Sequence, residues 1–239
     1  MPNLKLAILG AGYIAREHLK SINKLSGLSP ELIYSRTFNK SQKLADEFGI
    51  PTIAKSYEEF ILNLKGIDGI LILVSPEKMF EVTDLLIPYQ IPLFIEKPPA
   101  LSYEEILQLN TKASVNKTLN MVGFNRRFYS IYHKGIKKIR DHGRLLGLSI
   151  EGHERFWKLG DSFTKNTKDS WLYANSSHTI DLIDFFGGEL DELKVFSSSL
   201  NQTHGDQFVA SMRFKSGTLG TYTSHWYSPG GWSVTLYGE

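Results

Sequence analysis

No cysteine occurs in the 239 residues of this chain. That excludes a disulfide framework, a thiolate nucleophile and a cysteine-ligated metal. No apolar run approaches the 18 residues needed to cross a membrane as a helix. The opening Met1-Pro2-Asn3-Leu4-Lys5 runs straight into a strand pattern, without a charged region followed by a long apolar one. These features predict a cytoplasmic protein. Charge of a single sign is missing too: 27 basic against 25 acidic residues leave a net charge of +2. That balance argues neither for nor against an anionic partner; no nucleic acid and no membrane is expected. The most basic run, His133 to Arg140, has apolar residues at helical spacing and reads as one solvated helix face. The seven histidines show no H-x-H or H-E-x-x-H spacing, so no metal site is predicted. No G-x-S-x-G motif points to a serine hydrolase.

What is present begins at once. Leu4 to Leu9 reads as a strand, Gly10-Ala11-Gly12-Tyr13-Ile14-Ala15 follows, and Ile14, Leu19, Ile22 and Leu25 then form a helical core face. This is G-x-G-x-x-A between a first strand and a first helix, the setting in which it binds a dinucleotide. Gly10 allows the tight turn, Gly12 lets a pyrophosphate approach the backbone, and Ala15 lets helix and strand pack closely. The helix N-terminus offers free N–H groups and its positive dipole end to the phosphates. A second strand is expected over Leu32 to Thr37. An acidic residue usually ends that strand and binds the ribose 2′-hydroxyl; here Ser35 and Arg36 stand in its place. A hydroxyl and a guanidinium suit a 2′-phosphate, so NADP is expected over NAD. Dual specificity, or a mere polar turn at Ser35-Arg36-Thr37, remains open.

Strands and helices keep alternating. Helices are predicted over 40–48, 57–64, 78–87 and 103–115, the last capped by Ser102 with Glu104 and Glu105 in its first turn. Strands are predicted near 52–53, over the apolar run 69–74, over 91–95 and over 120–124. Six strands alternating with helices make a doubly wound parallel sheet, whose ligands bind at the carboxyl ends of the strands. Gly10, Ser35, Ser75 and Lys97 all fall at those ends. The stretch Glu96-Lys97-Pro98-Pro99 closes a buried strand, and its prolines stop the strand because neither can donate to a ladder. Pro98 holds Lys97 in extended geometry, with the intervening bond open to either isomer. Lys97 is thus a flexible cation on a rigid mount, pointing at the cofactor cleft.

After Phe124 the texture changes. Alternating β-branched and aromatic runs over 148–154, 194–199, 207–214, 220–227 and 232–237 predict an open, mostly antiparallel sheet. One amphipathic helix is inserted from Trp171 to Phe186, stopped by Gly187-Gly188 and capped by Asn175 or Ser176. His178 and Asp181 share a face of it and are close enough to interact. The dipole at the helix start disfavours an imidazolium, leaving His178 neutral and able to accept a proton. A satisfied histidine on the inner edge of the helix is the plain alternative. Two domains follow, with the boundary near residues 124–125: 1–124, binding NAD(P), and 125–239.

Taken together, G-A-G-Y-I-A at 10–15, S-R-T-F-N-K-S-Q-K-L-A-D-E-F-G at 35–49, E-K-P-P-A-L-S at 96–102, G-F-N-R-R-F at 123–128 and H-T-I-D-L at 178–182 resemble the glucose-fructose oxidoreductase / inositol dehydrogenase family. The resemblance implies a Rossmann domain followed by an α/β domain on an open, largely antiparallel sheet. It implies an NAD(P)-dependent oxidoreductase interconverting a secondary alcohol and a ketone on a sugar, cyclitol or related substrate, assembled as a homodimer or homotetramer through the second sheet. It makes Lys97 the lysine that positions substrate and cofactor, and His178 the acid/base at the reacting hydroxyl. Tyr13, Ile14, Ser75, Pro76 and Glu96 join the cofactor side; Arg126, Tyr173 and Asn175 join His178 as candidate substrate contacts. Two departures stand out. Ala174 occupies the place of an acidic residue that the family often carries four before its histidine. The second domain is also expected to be incomplete relative to the family, whose sheet continues past Leu236-Tyr237-Gly238-Glu239. A cofactor-binding sensor without turnover is the alternative reading on the same fold.

Overall fold

Short apolar runs separated by amphipathic helices set the first sheet. The computed structural model describes residues 3–161 and 163–239, and the chain divides into two compact units between Gly123 and Phe124. In the first unit the order is β1 (Leu4–Leu9), α1 (Tyr13–Ile22), β2 (Leu28–Tyr34), α2 (Phe38–Phe48), β3 (Thr52–Ile53), α3 (Tyr57–Leu62), β4 (Gly69–Ile72), α4 (Pro76–Leu86), β5 (Leu93–Ile95), α5 (Tyr103–Asn116) and β6 (Asn120–Val122). The six strands lie side by side as β3-β2-β1-β4-β5-β6, every pair parallel. Because side chains alternate across a strand, Ala7 and Leu9 enter one core layer with Phe60, Met79 and Leu86. Leu6 and Ile8 enter the other with Ala15, Leu19 and Leu44. Strand order reverses between β1 and β4, which opens the crevice where such sheets take ligands.

Several boundaries differ from those read in the sequence. Strand β2 starts at Leu28, where Leu4 pairs it, and ends at Tyr34; Pro30 sits inside it, next to an irregularity in the register. Ser35, Arg36 and Thr37 are therefore the turn beyond the strand. Helix α4 begins at Pro76 rather than Lys78, since a proline with its fixed φ fits the first helical position. The buried stripe of α1 is Ala15, Leu19 and Ile22. Ile14 and Leu25, expected in the core, are 40% and 57% exposed. One lies off the stripe by a residue, and the other lies beyond the end of the helix. Ser102 caps α5 as expected, accepting from the Glu105 N–H at 3.2 Å.

The second unit contains a 3₁₀ turn (Asn125–Phe128), α6 (Ser130–Arg140), β7 (Leu145–Gly152), a second turn (Phe156–Lys158), α7 (Lys165–Asp169), a π-helical turn (Leu172–Ser176), α8 (Ser177–Gly187), β8 (Leu190–Ser198), β9 (Gln207–Phe214), β10 (Leu219–His225) and β11 (Trp232–Gly238). Its five strands run β11-β7-β10-β9-β8. All neighbours are antiparallel except β7 and β10, which are parallel. Helix α8 buries His178, Thr179, Leu182 and Phe186. Leu182 and Phe186 join Leu148, Ile150, Met212, Phe214 and Tyr222 in the core of this unit. Among the described residues no helix is long and apolar enough to cross a membrane.

Between β8 and β9 the chain turns around Asp206, which is fully buried. Its carboxylate accepts the backbone N–H groups of Leu200, Asn201 and Gln202. Burial pushes this carboxyl up, but the three backbone donors outweigh it and hold the group below its ordinary value. A depressed folded-state value means stability that is present above the ordinary aspartate pKa of about 3.9 and is lost as pH falls through the folded value. Asp206→Ala should cost on the order of 2–4 kcal/mol at pH 7, because three donors lose a charged acceptor. The gap in melting temperature between native and variant chains should then shrink below about pH 4. A gap unchanged from pH 7 to pH 3 would show that the charge plays no part.

Candidate functional site

In the first unit a cavity of about 510 Å³ opens at the carboxyl ends of β1, β2 and β4. Its walls include Gly10, Gly12, Ser35, Arg36 and Ser75, which the sequence pointed to, and also Lys40, Tyr57, Lys78 and Glu81, which it did not. Gly10 has φ +117°, and a Cβ there would lie 2.2 Å from the Leu73 carbonyl oxygen. Only glycine meets both conditions. A Cβ on Gly12 would find nothing within 4 Å, so the loop is open where a pyrophosphate would come against it. Gly12 also occupies the N-cap of α1 without a capping side chain, leaving first-turn N–H groups for an anion.

The far end of the cavity is polar and cationic. Ser35 donates to the Thr37 carbonyl at 3.0 Å and accepts from the Ser41 hydroxyl at 2.8 Å, which fixes the turn after β2. Arg36 and Lys40 are both exposed on that turn and on the first turn of α2. Neither has an ion-pair partner among the described residues, whereas Lys78 pairs with Glu81 at 2.7 Å. The Tyr57 hydroxyl is buried with no hydrogen-bond partner, and burial raises its pKa to about 12. A glycine cradle, an open helix N-terminus, a cationic end and an orphaned hydroxyl fit a dinucleotide. Lys40 could have been found from its place in the first turn of the helix after β2; nothing local marks Tyr57.

Tyr13, Ile14, Pro76, Glu96 and Lys97 are not among the residues lining this cavity. Tyr13 and Ile14 are exposed at the start of α1, Tyr13 by 75%. Pro76 forms the first turn of α4. Lys97 and Glu96 are half-buried just after β5; the Lys97 N–H donates to Glu96 Oε2 at 2.7 Å, and His18 Nε2 lies 3.9 Å from Glu96 Oε1. The Lys97–Pro98 bond is cis.

The second unit gathers a separate set of residues around the start of α8. His178 is 8% exposed. Its ring stands edge-on to Phe124 at 6.3 Å and tilted against Trp232 at 6.0 Å. The guanidinium of Arg126 lies over the same Trp232 at 4.1 Å, a cation–π contact, and its buried Nε has no hydrogen-bond partner. The helix expected from Trp171 runs unbroken to Gly187, but not all of it is α-helical. Residues Leu172–Ser176 wind as a π turn, and α8 proper begins at Ser177. Ser176 holds the N-cap position of α8, but without a side-chain capping bond. Asn175 Nδ2 donates to both oxygens of Glu154 at 3.0 and 2.9 Å, and Ser176 Oγ donates to Oε1 at 3.0 Å. Tyr173 gives its carbonyl to the Ser177 hydroxyl at 2.6 Å. The Asp181 carboxylate, expected near His178, takes a two-pronged bond from Arg127 at 2.6 and 2.7 Å. Arg127 also reaches Asp184 at 2.9 Å, and these carboxylates raise its pKa further. Glu154 escaped the sequence reading because it lies just beyond β7, 21 residues from Asn175.

Among the described residues no cluster of three or more His, Asp or Glu could hold a metal ion. Residues 4–124 match the family model described as "Oxidoreductase family, NAD-binding Rossmann fold", and residues 142–239 match the C-terminal domain of the same family. An inositol 2-dehydrogenase of Klebsiella pneumoniae is 24% identical over 225 residues, covering 91% of this chain and 66% of that protein. The scyllo-inositol 2-dehydrogenase (NAD(+)) of Bacillus subtilis is 23% identical over 241 residues, covering 97% and 70%. The chain thus spans about two thirds of the length of these curated relatives. Among solved structures, a myo-inositol dehydrogenase of Corynebacterium glutamicum superposes with a TM-score of 0.81 at 21% identity, over 99% of this chain and 73% of that one. An NAD-binding oxidoreductase of Klebsiella pneumoniae gives 0.82 at 15% identity, over 99% and 71%. With both halves of the chain matched in order, this protein belongs to the Gfo/Idh/MocA oxidoreductase family.

Proposed function

We propose that this protein is an oxidoreductase that prefers NADP and interconverts a secondary alcohol and a ketone on a cyclitol or sugar. The observation that carries the cofactor choice is the pair Arg36 and Lys40 at the end of the β1/β4 crevice, where no carboxylate faces them from the turn after β2. Two cations match a 2′-phosphate, while a carboxylate would match the bare ribose hydroxyl. The substrate class rests on the relatives, several of which are inositol dehydrogenases. When bound, the nicotinamide supplies or accepts the hydride. Gly10 and Gly12 let the pyrophosphate sit against backbone N–H groups, and Ser35 keeps the Arg36 turn in place. Lys97 is assigned to holding and polarising the reacting oxygen. His178 takes the hydroxyl proton in the oxidative direction and returns it in the reductive one.

The test is absorbance at 340 nm with NADPH or NADH and a panel of keto-inositols and keto-sugars. Turnover with at least one panel member, faster with NADPH, is expected. Arg36→Ala should weaken NADPH by about 10- to 100-fold, the loss of a charged hydrogen bond to phosphate, and leave NADH nearly unchanged. No turnover of any panel member, with cofactor binding proven by fluorescence, would defeat the catalytic reading. Equal loss of both cofactors in Arg36→Ala would defeat the NADP preference.

A further inference from the structure

Glu154 is a carboxylate that the reaction outlined above does not use, yet it is 7% exposed. A buried carboxylate must be compensated by hydrogen bonds or charge. Here Asn175 and Ser176, the residues three and two before His178, donate to it. They belong to the π-helical turn that leads into α8, and such turns recur at functional sites. Ser176 joins the π turn to α8 with helical φ and ψ, so its bond sets a Glu154 oxygen against the turn two residues before His178. From Ser176 the network continues inward: Thr179 Oγ1 donates to the Ser176 carbonyl at 2.9 Å and lies 3.1 Å from the Tyr222 hydroxyl. On the helix itself, position 174 is a buried alanine and holds no acid.

We propose that Glu154 is a positioning residue for His178: it clamps the turn that aims the imidazole and supplies, from the end of β7, a negative charge at the start of α8. A carboxylate near the ring raises its affinity for a proton. A group that must both take and return a proton works best with its pKa near the working pH. Among the described residues, titratable or charged groups on the elements about the start of α8 include Tyr173 on the π turn, Glu151 of β7, which accepts from Ser233, Tyr222 from β10, Arg126 stacked on Trp232 of β11, and Arg127, which is already bound to Asp181. Tyr222 is neutral, its pKa raised by burial. Arg126 is cationic and works against protonation of the ring, which makes a nearby anion the counterweight.

This inference rests on the assignment of proton transfer to His178, and its test is kept apart from turnover. The ring pKa of His178 is followed by NMR in the full chain, with the resonance assigned by its loss in His178→Gln. Glu154→Gln keeps the size and an acceptor oxygen but removes the charge. The His178 pKa should fall by about half a unit or more in that variant. A titration that overlays the native one would overturn the proposal. Should Glu154→Gln fail to fold, the coupling is read from its other end, since linkage is reciprocal. The Glu154 carboxyl should then titrate higher in His178→Gln than in the native chain, and an unmoved value overturns the proposal as well. A coupling found alongside full turnover in His178→Ala would instead count against the catalytic role of the histidine and leave the clamp standing.

Discussion

His178→Ala should lower kcat by about 10²- to 10⁴-fold, the span typical of losing a positioned acid/base, while the Kd for NADPH changes little. The separation follows from where the groups lie. The histidine is on α8 of the second unit, and the glycine loop and the Arg36 turn line a cavity built wholly within the first. A loss in kcat without a loss in cofactor affinity would place the defect in proton transfer. Truncating a buried ring also leaves a hole among Phe124 and Trp232, so the melting temperature has to be followed in parallel. Added imidazole should restore part of the rate, because the void left by the side chain is of the right size and chemistry. Unaltered turnover in His178→Ala would remove the histidine from the reaction and favour the reading of the protein as a cofactor sensor.

Gly10→Ala should destabilise the first unit by about 3 kcal/mol or more and abolish cofactor binding, since a new methyl group meets backbone that cannot move aside. The added Cβ would lie 2.2 Å from the Leu73 carbonyl oxygen and 2.6 Å from its carbon, at a φ of +117° that L residues rarely adopt. Both the clash and the dihedral oppose it. Gly12→Ala is the informative contrast. Its φ of −86° suits alanine, and its Cβ would touch nothing within 4 Å. The melting temperature of Gly12→Ala should therefore stay level or rise slightly, through a less flexible unfolded chain. Its NADPH affinity should still fall, because the methyl group enters the space the pyrophosphate needs. Calorimetry paired with fluorescence titration separates the two outcomes. A Gly12→Ala variant that binds NADPH as tightly as the native chain would remove the pyrophosphate from this loop.

The alternation of strands and helices, the glycine turn and the break near residue 124 were legible because each depends on local chemistry. Apolar runs of four to six residues between turn-formers specify buried strands, and a glycine at the end of the first leaves few other readings. The Ser102 cap was equally readable, since its partner is three residues away. Contacts made across the chain were not. Asn175 and Ser176 had the chemistry of helix caps, yet they donate to a carboxylate 21 and 22 residues away in sequence, and the first part of the helix winds as a π turn. Asp181 shares a helical face with His178, but Arg127, 54 residues earlier, takes its carboxylate with two hydrogen bonds. The parallel pairing of β7 with β10 likewise joins runs about 70 residues apart. The sequence by itself determined which elements form and where the glycine loop falls, because short-range sterics and hydrophobic periodicity decide those. Only the tertiary structure decided which polar group meets which, and so which carboxylate binds the turn before His178, because several chemically equivalent partners exist and folding selects among them by position.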